Sequence, residues 1–132
     1  MASQIELKNY FVRINFQNNV LEVCRKSGCN QSWRATSSTG HNSENPGVFN
    51  DLTISPEGGM YQKIYAATSK GLFVATDTGG TSWNWSADNH FKREFQNEPV
   101  KAVSVFNNKI TVTTNKGVFT RDIYANTWHK ER

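Results

Sequence analysis

The chain has 132 residues, with 15 Lys and Arg against 11 Asp and Glu, for a net charge of +4. That length suits one domain over 1–132; hydrophobic residues, at 36%, are low for a compact globule, and charged ones, at 20%, are ordinary, so long disordered charge blocks are not expected. No run of about 18 apolar residues occurs, and the start, Met1 to Glu6, has no basic stretch followed by an apolar one. These features predict no membrane span and no secretory signal, hence a cytoplasmic or non-classically released protein.

Read along the chain, the first third carries two β-rich runs, 13–17 and 19–24, and closes on Ser32-Trp33. A polar loop follows over 36–49. Strands are then expected at 50–55, 63–68, 71–76 and 82–86, with Pro56-Glu57-Gly58-Gly59 as a turn. The last third predicts strands at 100–106, 109–114, 117–121 and 127–130. Asn107-Asn108 and Asn115-Lys116-Gly117 supply its turns, because Asn and Gly tolerate positive φ. β-branched residues dominate between the turns, and no helix is expected.

The chain repeats a pattern within itself. Lys63-Ile64 and Lys109-Ile110 each open a β-rich run. Each run leads to Lys-Gly (Lys70-Gly71, Lys116-Gly117), an apolar pair, an Asp (Asp77, Asp122), and then a hydroxyl residue and Trp (Ser82-Trp83, Thr127-Trp128). The first third fits the frame more loosely. Three repeats are read, at 5–45, 48–93 and 98–131, each of four strands. Four strands in every stretch of about 45 residues is a propeller-blade signature. The expected fold is therefore all-β and propeller-like, with three four-stranded blades per chain.

The segments Asp77 to Trp83 and Asp122 to Trp128 resemble the Asp-box, or BNR repeat, of sialidase-like β-propellers. That resemblance implies that Asp77 and Asp122 tie turns while the following Trp packs beneath. It is nearly silent on activity. The sialidase arginine cluster, tyrosine–glutamate pair and acid donor have no counterpart here. Asp51, Glu57, Asp88, Glu94 and Glu98 lie scattered without the paired carboxylates that glycoside hydrolysis requires. A non-enzymatic protein without cofactor or metal is expected.

The first repeat adds a second resemblance. Val12-Arg13-Ile14-Asn15-Phe16-Gln17, then Asn19 to Cys24, then Trp33, is similar to a blade of the six-bladed fucose-binding lectins. It implies that Arg13 and Glu22 hydrogen-bond sugar hydroxyls and that Trp33 stacks on the apolar side of the ring. Lys63 and Lys109 are read at the Arg13 position, and Phe73 and Phe119 at the Glu22 position, so one such site per chain is expected. Trp85 joins the candidates and is expected to be exposed, since two neighbouring tryptophans, Trp83 and Trp85, exceed what packing needs. The reading is a non-catalytic lectin, with a protein-interaction or assembly module of the same fold as the alternative. Scattered Lys and Arg pairs such as Arg25-Lys26 and Lys92-Arg93 leave nucleic-acid binding a distant third.

Cys24 and Cys29 could staple a hairpin or remain reduced; two thiols alone do not make a zinc site. Finally, closed propellers have four to eight blades. Three blades are expected to leave two apolar end faces, which a second copy, head to tail, would cover in a six-bladed ring.

Overall fold

The computed structural model describes residues 4–29, 33–36, 45–55, 62–77 and 83–131. Over these, the chain forms three separate four-stranded antiparallel sheets, each built from sequentially adjacent strands. The first comprises β1 (Gln4–Glu6), β2 (Tyr10–Asn15), β3 (Val20–Arg25) and β4 (Arg34–Ala35). The second comprises β5 (Phe49–Ser55), β6 (Lys63–Thr68), β7 (Gly71–Thr76) and β8 (Ser86–Ala87). The third comprises β9 (Val100–Phe106), β10 (Lys109–Thr114), β11 (Gly117–Asp122) and β12 (His129–Lys130). The expectation of an all-β chain with three four-stranded sheets therefore stands, although over the described residues the sheets do not close into a ring within one chain.

Alternation along the strands decides where each side chain goes. On β6, Ile64 and Ala66 face the first sheet, while Tyr65 and Ala67 face the third. The second sheet is thus buried on both faces. One core lies between it and the first sheet, around Val12, Leu21, Leu52 and Trp83. The other lies between it and the third, around Leu72, Val103, Ile110 and Trp128. The leading strands are stitched together by side chains as well. Asn50 Nδ2 donates to the Val100 carbonyl (2.9 Å), and the buried Asp51 carboxylate accepts from the Val103 amide (3.0 Å).

The second and third sheets repeat one another in detail. Thr68 Oγ1 donates to the Gly71 carbonyl and accepts from the Lys70 amide; Thr114 does the same with Gly117 and Lys116. Gly71 and Gly117 have φ of 127° and 133°, a region that excludes most side chains. In the first sheet Asn15 takes the place of this threonine, its Oδ1 accepting from the Gln17 and Asn18 amides at 3.1 and 3.3 Å.

Counting from these turns corrects the register expected from sequence. Arg13 pairs with Glu22, as Ala66 pairs with Phe73 and Val112 with Phe119. Lys63 and Lys109 therefore correspond to Tyr10, not to Arg13. The Lys-Ile match opened the frame at the wrong end, because the turn after β2 is longer than its two counterparts.

A helix also appears where none was expected. α1 (Asn89–Phe95) joins the second and third sheets. Asp88 caps it, with Oδ2 accepting from the Phe91 amide at 3.0 Å. Phe91 and Phe95, one turn apart, pack into the second core against Trp128. Seven residues are too few to show a helical period, so the pattern escapes a sequence reading.

Candidate functional site

The face of the first sheet that points away from the second is the unusual surface. In the other two repeats the corresponding face carries Ala66–Phe73 and Val112–Phe119, packed into a core. Here it carries Arg13, Asn15 and Glu22. The expectation of apolar end faces is corrected at this end, where charged and polar groups take the place of the apolar pair. The other end face is rich in hydroxyl groups. Thr111 pairs there with Ser104 and Thr120, and Thr113 with Ala102 and Val118.

The polar face is built as one unit. Arg13 on β2 and Glu22 on β3 are directly opposite in register. Arg13 Nε meets Glu22 Oε1 at 2.8 Å, and Asn15 Nδ2 donates to Glu22 Oε2 at 3.1 Å. Asn15 is itself oriented by the turn amides it accepts from, so both carboxylate oxygens are held from one side. Trp33, just before β4, lies beneath the Arg13 guanidinium, whose carbon is 4.1 Å from the ring centroid. The Arg13 side chain stays 41% exposed and that of Glu22 16%. The cluster thus presents an acceptor carboxylate, further guanidinium N–H groups and an aromatic ring at one accessible place.

Three of the sequence-predicted binding residues, Arg13, Glu22 and Trp33, are therefore neighbours. Asn15 belongs with them and was missed. Its signal was its place two residues from Arg13 on the same strand face. Trp85 does not join them. It is 1% exposed and packs on Phe49, with ring centroids 5.7 Å apart, in the first core. The expectation of an exposed Trp85 is overturned. Trp83 and Trp85 both belong to the first core, Trp85 against Phe49. Asp122 ends β11 and organises the next turn, its Oδ1 accepting from the Tyr124 amide at 2.9 Å. Asp77 is buried just after β7, and the rest of its Asp-box, 78–82, lies outside the described residues. Cys24 and Cys29 form a disulfide.

The Asn15 hydrogen bond, followed by that of Arg13 and the Arg13 charge, holds the Glu22 carboxyl below its ordinary 4.5, outweighing desolvation. A depressed folded value means that Glu22 contributes stability above pH 4.5 and loses it as pH falls through the lowered value. Carbon-detected NMR titration of Glu22 is expected to give a midpoint below 4.5. In an Asn15→Ala chain that midpoint is expected to move back up.

Comparison of the chain with protein-family models, with curated proteins and with solved structures finds no match.

Proposed function

We propose that this chain binds carbohydrate without chemistry, at the Arg13–Asn15–Glu22–Trp33 cluster. One observation carries the reading: an ion pair, oriented on both oxygens and set against a tryptophan, stands where the other repeats bury apolar pairs. A carboxylate that is already held accepts from vicinal hydroxyls at little further ordering cost. Guanidinium N–H groups donate to them, and an indole edge or face covers the C–H side of a pyranose. A partly exposed ion pair adds little to stability, so stability alone is a weak reason for building this cluster.

The proposal extends to the fold. The three sheets are read as blades of a degenerate Asp-box propeller that two copies, head to tail, complete as a six-bladed ring. The hydroxyl-lined face of one copy's third sheet would then form the second wall of its neighbour's sugar site. Light scattering after gel filtration is expected to return about twice the 14.9 kDa chain mass; the chain mass itself would rule out the ring.

A glycan array tests the binding claim. The wild-type chain is expected to retain at least one neutral saccharide, and Arg13→Ala to lose it by roughly tenfold or more, the worth of a charge-assisted hydrogen bond. An array without signal would remove the claim. A second reading, a protein-docking or assembly module, draws on Phe106 and Tyr124, which are 76% and 77% exposed near one end of the third sheet. Phe106→Ser with Tyr124→Ser would abolish partner capture in that case and leave saccharide binding alone.

A further inference from the structure

Positive charge is not spread evenly over the molecule. Residues 1–36 carry +3 of the chain's +4. Part of that excess gathers at one end of the first sheet, away from the Arg13 cluster. There the turn between β1 and β2 (Lys8, Asn9) meets the last residue of β3 (Arg25) and the turn that follows it (Lys26, Ser27) around a cleft of about 330 Å³.

The cleft is held in shape by covalent and backbone bonds. The Lys26 amide donates to the Asn9 carbonyl at 3.0 Å, joining the two turns, and the Leu7 amide donates to the Tyr10 carbonyl at 2.8 Å. Lys26 to Gly28 form a short 3-10 turn, and the Cys24–Cys29 disulfide closes the chain around it. Lys26 is already paired with Glu6 at 2.5 Å. Among the described residues, Lys8 and Arg25 make no ion pair; Arg25 lies only near the Tyr10 ring, 5.9 Å from its centroid. Two uncompensated cations thus face a fixed, partly aromatic cleft whose volume falls in the range of small-ligand sites.

We propose that this cleft binds a small oxyanion, the sulfate or phosphate ester group of a low-molecular-weight ligand. Arg25 and Lys8 would be its principal donors and Lys26 the flanking charge. A tetrahedral oxyanion meets two free cations there, a phosphate monoester with up to two negative charges and a sulfate ester with one, and guanidinium geometry suits both. Glu6 and Glu22 on the same sheet work against an extended polyanion, so a polynucleotide is disfavoured. The inference does not depend on the saccharide site, which uses other residues.

The test is amide-detected NMR titration with sodium sulfate and sodium phosphate, against sodium chloride at equal ionic strength. Glucose 6-sulfate and glucose 6-phosphate are compared with glucose in the same way. Saturable shifts at Asn9, Lys26 and Ser27 are expected with the anions and not with chloride or glucose. Lys8→Ala with Arg25→Gln is expected to weaken binding at least tenfold, while Arg13→Ala leaves it unchanged. Reduction of the disulfide is expected to weaken it as well, because the 26–28 turn is freed. Shifts that never saturate, equal affinity in the double variant, or binding confined to long polynucleotides would each overturn the assignment. Failure of saccharide binding on the array would leave this result untouched, so the two claims fail separately.

Discussion

Asp88→Ala is expected to destabilise the fold by about 3–5 kcal/mol, read as a lowered urea midpoint with an unchanged slope. Two losses coincide at this residue. Its Oδ2 caps α1 through the Phe91 amide, and its Oδ1 faces Arg121 Nη2 at 3.5 Å. Arg121 is only 2% exposed, at the seam of the second and third sheets. Its Nη1 reaches the carbonyls of Asp122, Ile123 and Ala125, and its guanidinium lies 5.2 Å from the Trp128 centroid. Carbonyls solvate the cation but do not neutralise it. Removing Asp88 leaves a buried charge without its counter-ion, a much larger penalty than the intact pair is worth. Asp88→Asn, which keeps a capping oxygen, is expected to fall between wild type and alanine. An alanine variant within 1 kcal/mol of wild type, roughly the worth of a cap alone, would show that the Asp88–Arg121 contact contributes nothing.

The second large effect is expected at Asp51. Its side chain is fully buried, with Oδ1 accepting from the Leu52 amide at 3.0 Å and Oδ2 from the Val103 amide at 3.0 Å. The second of these bonds crosses from β5 to β9. Asp51→Ala orphans two buried amides, each costing about 1–3 kcal/mol, so a loss of roughly 2–5 kcal/mol is expected. Hydrogen exchange gives a more specific readout. The Val103 amide and its β9 neighbours should lose protection, while the first sheet, which touches the second through the other core, should change little. Uniform loss across all three sheets would mean that Asp51 supports the whole array rather than one seam.

The architecture was legible because it rests on local pattern. Turns at Asn107-Asn108 and Asn115-Lys116 bracket alternating strands, and the bounds of β9 and β10 follow from them directly. Other features depend on what lies across a gap in space. Trp85 looked surplus because sequence does not reveal that the core between the first two sheets takes in both Trp83 and Trp85. α1 was hidden because seven residues, about two turns held by Phe91 and Phe95, show no period to detect. The register of Arg13 was misread since the Lys-Ile signal is stronger than the Thr-to-Asn exchange at the turn, yet the turn is what fixes the pairing. The candidate site survived that error. Arg13 and Glu22 follow from the resemblance to a lectin blade, and antiparallel pairing sets them opposite one another. The basic cleft was invisible, because Lys8 and Arg25 become neighbours only when β1, β2 and β3 assemble.

The open face of the first sheet has two physical readings. Terminal repeats of stacked arrays carry polar outer faces simply to stay soluble, and Arg13–Glu22 would serve that end. A ligand site makes a sharper demand, since the orientation of the carboxylate then matters and not merely its polarity. Glu22→Gln separates the two, because it keeps size and polarity while removing the charge and one of the accepting oxygens. The decisive measurement is calorimetric titration of wild type and Glu22→Gln with the saccharide retained on the array, alongside thermal unfolding of both. The account predicts nearly equal melting temperatures and an affinity at least tenfold weaker in the variant. Equal affinity in the two chains, or a wild-type chain that releases no heat with any saccharide, would make the face a solubilising cap and contradict the account.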